Sequence, residues 1–330
     1  MIFDDKFYLG YAGKPTLLHE KRFTIHWVPD FFCNYTCSYC WPGSNSPYRK
    51  NLPVDVLIKG LNDLKLKVNN MGIYDFHLTF AGGEPTIYPE FSRFVQSYCD
   101  DNTQKRQSMH ITTNLSAGDK WWNNFFKITE KLNYFSIDAS WHRESIKDIG
   151  LSREKFLRIS NKMTKVDRHL IISMVMPPSQ FEDIYSDALF FRENQAKVAL
   201  RAEKIKHKGV YINHPEYTKD MLDRMIEWNM GEQISPFIHV EGDSITKYDD
   251  VEQAITMNKN DYRGWLCYAG TTGVRIRPNG DITRGFICID KKIGNITDDS
   301  YTLNIDPKPC ITTACSCSGD MNKPKIKVKY

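Results

Sequence analysis

Three cysteines fall within eight residues of one another: Cys33-Asn34-Tyr35-Thr36-Cys37-Ser38-Tyr39-Cys40, a C-x3-C-x2-C arrangement. Three thiolates in one short loop can wrap around a single metal centre, and soft sulfur ligands select iron–sulfur clusters, zinc or Cu(I). A cubane [4Fe–4S] cluster has four irons, so three cysteines leave one iron without a protein ligand. An open position of that kind is what a catalytic metal needs. A structural zinc ion wants a fourth donor, and the near candidate, His26, falls inside a predicted strand. An open cluster and a zinc loop are both compatible with this loop taken alone.

Five more cysteines, Cys267, Cys288, Cys310, Cys315 and Cys317, crowd the last quarter of the chain. Five thiols around a small β-hairpin can supply four ligands to a second cluster. A zinc ribbon is the rival reading. The ninth, Cys99, reads as a lone thiol at a helix end. The odd count and the clustering favour metal ligation in a reducing compartment over a disulfide framework.

Short β-rich runs alternate with helical patterns from residue 22 to about 205, the mark of repeated strand–helix units and a mainly parallel sheet. Strands are predicted at 23–27, 76–80, 109–113, 134–138, 170–175 and 196–200. The first helix starts at Pro53 and ends before Gly72, with Val54, Leu57, Ile58, Leu61, Leu64 and Val68 on one face. Further helices are expected at 89–98, 120–132, 152–166, 181–193 and 218–229. The expected fold is α/β, a partial (β/α)6 TIM-like barrel with a small cysteine-rich β-hairpin/helix extension. Chemistry in such folds sits at the C-terminal ends of the strands. Strands at 273–277 and 281–283, joined by Pro278-Asn279-Gly280, form the hairpin of the extension. Residues 1–20 are read as an N-terminal extension, 21–235 as the barrel and 236–330 as the cysteine-rich unit.

The cysteine loop at the mouth of the first strand, with an aromatic residue before its third cysteine, resembles the radical S-adenosylmethionine (SAM) superfamily. Ala81-Gly82-Gly83-Glu84-Pro85-Thr86 after the second strand is similar to that superfamily's Gly-Gly-Glu-Pro motif. The resemblance covers roughly residues 20–205. It implies that Cys33, Cys37 and Cys40 hold a catalytic [4Fe–4S] cluster whose open iron is chelated by the methionine part of SAM. It further implies that Gly82, Gly83 and Glu84 meet the cofactor's amino group, and that Tyr39 lies near the adenine. Asn114, Ser136 and Asp138 would bind the ribose and methionine part, and Arg201 would pair with the carboxylate. The C-terminal cysteines resemble the SPASM and twitch extensions; five thiols fit the shorter twitch form with one auxiliary [4Fe–4S] cluster, leaving one thiol unassigned.

The implied activity is reductive cleavage of SAM to a 5′-deoxyadenosyl radical, followed by hydrogen-atom abstraction from a substrate. The leading substrate is a ribosomally synthesised peptide; a sugar, nucleoside or antibiotic precursor is the second class, and a non-catalytic iron–sulfur or zinc-binding protein the third. Trp141, His142, Met176, Glu203 and His207 follow strand ends and are candidate substrate contacts, His142 foremost as a catalytic group. Partners implied are an electron donor such as flavodoxin or ferredoxin and, for a peptide, a separate recognition protein, since the residues before Cys33 are too few for a recognition domain.

Composition agrees with an ordinary globular enzyme. The 330 residues carry 44 basic and 40 acidic side chains with no dense basic stripe, so nucleic acid is not expected as a partner. The basic run from Lys323 to Lys329 reads as a solvated tail. No stretch approaches the ~20 apolar residues that span a bilayer. No secretory signal is visible, so a cytoplasmic protein is expected.

Overall fold

The computed structural model describes residues 8–11, 14–17, 22–40, 52–101, 103–145, 152–207, 210–230, 237–241, 244–248, 251–257, 259–286, 288, 292–298, 301–303, 306–315, 317–321, 323 and 325–327. The boundary expected near residue 235 lies outside them, as does most of the 1–20 extension.

A nine-stranded sheet organises the molecule. Its strands are β1 (Arg22–Trp27), β2 (Asp75–Phe80), β3 (Arg106–Thr113), β4 (Tyr134–Ser140), β5 (His169–Val175), β6 (Val198–Arg201), β7 (Gly273–Ile276), β8 (Asp281–Thr283) and β9 (Lys292–Asn295). Their spatial order is β9-β8-β7-β1-β2-β3-β4-β5-β6. The run from β7 to β6 is parallel, and β7, β8 and β9 form an antiparallel meander. The six strands expected from the sequence thus form the partial barrel. The C-terminal hairpin adds to it, because β7 pairs with β1 in the register Gly273↔Thr24 to Ile276↔Trp27.

Helices α1 (Val54–Asn70), α2 (Phe91–Asp100), α3 (Asp119–Ile128), α4 (Arg153–Thr164), α5 (Phe181–Glu193) and α6 (Lys219–Asn229) cover the outer face. Side chains alternate along a strand, and here the alternation is complete. Phe23, Ile25 and Trp27, Phe76, Leu78 and Phe80, Phe135, Ile137 and Ala139 all face the helices and join one core. The opposite face carries Thr24, His26, His77, Thr79, Ser108, His110, Thr112, Ser136 and Asp138. Most barrels fill that bore with branched apolar side chains; this one is polar.

Hydrogen bonds run across the bore from strand to strand. His77 Nδ1 lies 2.8 Å from Ser108 Oγ, and His110 Nδ1 lies 2.8 Å from Ser136 Oγ. Burial pushes both histidines below their usual range and takes His26 down to about 3. These rings stay neutral when folded but take up protons below about pH 6.5 when unfolded, so the unfolded chain binds more protons on the acid side. Stability is therefore fully present above about pH 6.5 and is lost as pH falls, for His26 by up to about 1.4 kcal/mol per pH unit toward pH 4 and for His77 and His110 in the same direction. Urea midpoints measured from pH 7 to pH 4.5 should fall steeply, and less steeply in His77→Gln; a flat profile contradicts this.

Boundaries shifted where local capping intervened. The sixth strand begins at Val198 rather than 196, because Gln195 takes φ 63° and the Ala196 N–H closes the end of α5 on Phe191 O. The third strand begins three residues early, its polar Arg106-Gln107-Ser108 start pairing with Asp75, Phe76 and His77. α4 starts where expected, its Ser152 cap accepting from Lys155 N–H. A small second core gathers Val251, Ala254, Tyr262, Trp265, Cys267, Cys310, Cys315 and Met321.

Candidate active site

The cysteine loop leaves β1 and is stitched to the loop after β2. Gly83 N–H donates to Asp30 O and Glu84 N–H to Phe32 O, both at 3.0 Å. The two glycines are needed for closeness: a Cβ on Gly83 would stand 2.0 Å from Phe32 O, and one on Gly82, at φ +123°, 2.5 Å from Val28 Cγ1. The Gly83 and Glu84 N–H groups are turned toward the cysteine loop, and carbonyl oxygens are the backbone groups of this turn able to meet an ammonium.

Glu84 ties this unit to the third strand. It is buried, and Oε1 accepts from Thr86 N–H, Thr86 Oγ1 and Thr113 Oγ1 while Oε2 accepts from Asn114 N–H at 2.6 Å. Burial raises its pKa and these bonds oppose the rise. One lone-pair direction on Oε2 is left for a further donor.

Cys33, Cys37 and Cys40 line a cavity of about 420 Å³, and none of the nine cysteines is in a disulfide. Donors point at two of the sulfurs. Cys33 Sγ accepts from Tyr35 N–H at 3.4 Å and faces Asn114 Nδ2 at 3.9 Å, and Cys37 Sγ lies 3.6 Å from Ser145 Oγ. The thiols stand at separate points of the wall: among the described residues, no three His, Cys, Asp or Glu side chains draw together as round one metal ion. Burial pushes Cys33 up to about 12 and Cys37 up to about 11, so thiolates here need a metal cation to offset them.

Tyr39, Gly82, Gly83, Glu84, Asn114, Asp138, His142 and Arg201 share this wall with the cysteines. The buried atoms Asp138 Oδ1, Thr79 Oγ1 and His26 Nε2 lack a protein partner, which suits a polar cofactor. Ser136 is set back from the cavity, one layer down, on His110. His142 Nδ1 lies 3.1 Å from Tyr39 OH, and burial lowers its pKa to about 4. The imidazole is neutral at physiological pH and orients the tyrosine. Glu144 accepts from Ser38 N–H and, at 3.0 Å, from Ser38 Oγ. His142, Glu144 and Ser145 therefore grip Tyr39, Ser38 and Cys37 respectively. Glu144 and Ser145 had no motif to reveal them; only their position after the fourth strand did.

Two expected substrate contacts turn the other way. Trp141 packs between Phe156 and Phe191, its Nε1 donating to Asp187 Oδ2 at 2.9 Å, and Met176 is buried in the main core. Glu203 remains on the cavity wall, whereas His207 is exposed on a hairpin. Cys99 lies in the α2 packing layer.

The C-terminal thiols divide. Cys267, Cys310 and Cys315 are buried in the second core, Cys288 is half-buried, and Cys317 lines the same cavity as Cys33, Cys37 and Cys40. Cys267 and Cys310 sit against each other, and this contact, with Lys325 and Lys323 nearby, lowers the pKa of Cys267 and raises that of Cys310. The turn carrying Cys317 rests on the barrel, Gly319 standing so close to His26 that a Cβ would be 2.4 Å from Cε1.

Among curated protein sequences, none matches the chain. Solved structures resemble it in fold. SuiB of Streptococcus suis bound to S-adenosylmethionine superposes with a TM-score of 0.53 at 19% identity, covering 84% of this chain and 64% of that one. The chain thus spans a little under two thirds of SuiB's length. The enzyme anSMEcpe with bound AdoMet gives a TM-score of 0.57 at 17% identity, covering 84% and 78%. Residues 27–191 match the Radical SAM superfamily pattern, a span that runs from the last residue of β1 through the cysteine loop to α5. Three thiols on a polar cavity at the strand ends, and a sequence match over half the chain, make this a member of the radical SAM superfamily.

Proposed function

We propose that this radical SAM enzyme oxidises a ribosomally synthesised peptide, with a catalytic cluster on Cys33, Cys37 and Cys40 and an auxiliary [4Fe–4S] cluster on C-terminal thiols. The observation that carries it is the shared cavity: Cys317, Arg275 and Asp320 line it together with the three loop cysteines. A second redox group beside the first suits removal of an electron after hydrogen-atom abstraction. A peptide is supported by the fold's likeness to SuiB bound to precursor peptide SuiA, TM-score 0.53, and to anSMEcpe bound to a Kp18Cys peptide, TM-score 0.57.

Bound at a reduced cluster, SAM would supply the radical chemistry of hydrogen-atom abstraction from carbon; the protein's share is placement. Cys33, Cys37 and Cys40 would hold the cluster while Tyr35 N–H and Asn114 Nδ2 face Cys33 Sγ. Backbone carbonyls of the Gly82-Gly83 loop and Glu84 Oε2 would receive the cofactor's ammonium. Arg201 would take its carboxylate, and Asp138, with Oδ1 unpaired, its ribose. Tyr39, held by neutral His142, would flank the adenine. Electrons would come from a flavodoxin or ferredoxin, and a separate protein would present the peptide.

Anaerobically reconstituted protein, given dithionite, SAM and a short peptide encoded beside its gene, should form 5′-deoxyadenosine together with a lighter peptide. 5′-Deoxyadenosine formed with small metabolites and with no such peptide would turn the reading to the small-molecule class. A Tyr39→Phe change should spare cluster content yet, by freeing the ring from His142, weaken SAM binding about threefold to tenfold, the worth of one hydrogen bond; calorimetry checks this.

A further inference from the structure

Among the described residues, five Lys or Arg side chains are buried: Lys65, Arg275, Arg284, Lys323 and Lys325. Lys65 has its own carboxylate, Asp101, at 2.6 Å. The other four surround the C-terminal thiols, so Lys323 and Lys325 are buried and not part of the solvated tail expected from the sequence. Arg284 Nε donates to Ala269 O at 2.8 Å and Nη2 to Cys267 O at 3.2 Å. Lys323 Nζ donates to Arg284 O at 2.9 Å and reaches Asp320 Oδ1 at 3.3 Å. Lys325 Nζ donates to the carbonyls of Asp320, Met321 and Lys323. Arg275 lies over the Phe286 ring, 3.7 Å from its centroid.

The partners of these cations are mostly neutral carbonyls, with Asp320 the one buried carboxylate beside them among the described residues. Four positive charges against one negative leave a large excess, and burying uncompensated charge is costly. The neighbouring groups able to turn anionic are the thiols. Lys325 is within electrostatic reach of Cys267, Cys310 and Cys315, Arg284 and Lys323 of Cys288, and Arg275 of Cys317. A cubane on four thiolates carries net negative charge that grows by one on reduction, and local positive charge raises its potential.

We propose that Arg284, Lys323 and Lys325, with Arg275 on the cavity side, form a buried cationic cage that favours the reduced, more anionic state of the C-terminal cluster; this rests on the auxiliary-cluster reading given above. The cage residues touch no reacting atom. They hold charge so that an electron leaving the substrate radical finds a favourable place to go.

Lys325→Gln offers two N–H donors to the three carbonyls and removes the charge, while Lys325→Arg keeps the charge. Both are compared with wild type, as full chains reconstituted anaerobically, by iron and sulfide analysis and by redox titration followed by electron paramagnetic resonance. Expected is at least a tenfold fall in the reduction equilibrium of the C-terminal cluster in Lys325→Gln, about 59 mV for one electron, with Lys325→Arg within threefold of wild type and the other cluster unmoved. Loss of the second cluster in the Gln variant alone also supports the cage. A potential within threefold in Lys325→Gln, or loss of the cluster in both variants, overturns it. Wild type holding only about four irons overturns instead the auxiliary cluster itself, so the two failures are told apart by the iron count.

Discussion

Replacing Cys33, Cys37 and Cys40 together with alanine is expected to drop iron content from about eight to about four per chain, by the arithmetic of one cubane on each thiol set. Formation of 5′-deoxyadenosine should fall to background. The fold should persist, because these side chains line a cavity wall and lie outside the main core, so circular dichroism should be unchanged. Retained 5′-deoxyadenosine formation would move the chemistry to another site. Unchanged iron would mean that the loop holds no cluster.

The second large effect is expected from a single methyl group. In Gly83→Ala the new Cβ meets backbone, 2.0 Å from Phe32 O, and no flexible side chain can give way. Overpacking of this kind costs about 1–3 kcal/mol, and the crowded Phe32 carbonyl directly precedes Cys33, so the cysteine loop must shift. The variant should melt several degrees lower, at about 2–4 °C per kcal/mol for a chain of this class, and should lose most of the loop's cluster. Gly118→Ala is the control: nothing lies within 4 Å of its Cβ. It should keep its iron and lose at most a weak helix cap of about 1 kcal/mol. Equal iron in the two variants would show that the close approach at Gly83 does not shape the loop.

The sequence made the barrel legible through local signals. Strand–helix alternation and the apolar stripe of α1 are written within a few residues of each other. The helix 181–193 matches Phe181–Glu193 end for end. The site was legible where spacing carried it, in the cysteine loop and in Gly82-Gly83-Glu84. What escaped was long-range. The pairing of β7 with β1 joins residues some 250 positions apart, and β-propensity alone gives no register for such a contact. The grip of Glu144 and Ser145 on the cysteine loop is of the same kind. Trp141 shows a subtler limit: one residue past the strand end, the alternation that pointed Ser140 to the cavity sends the indole to Asp187. Cys315 and Cys317 are two apart, yet one enters the second core and the other lines the cavity shared with Cys33, Cys37 and Cys40.

The polar bore gives the site its character. A cavity floored by His26, Thr79 and Asp138 presents unpaired polar atoms at the strand ends, where an apolar barrel would present methyl groups. A charged, hydrogen-bonding cofactor placed there would satisfy those atoms.

The most direct measurement is electron paramagnetic resonance of the dithionite-reduced, iron-reconstituted chain recorded with and without SAM. Because an iron left free by Cys33, Cys37 and Cys40 would bind the cofactor's amino and carboxylate groups, SAM should change the signal of the loop cluster and leave that of the C-terminal cluster alone. A spectrum indifferent to SAM, or stoichiometric zinc where iron is expected, contradicts the account.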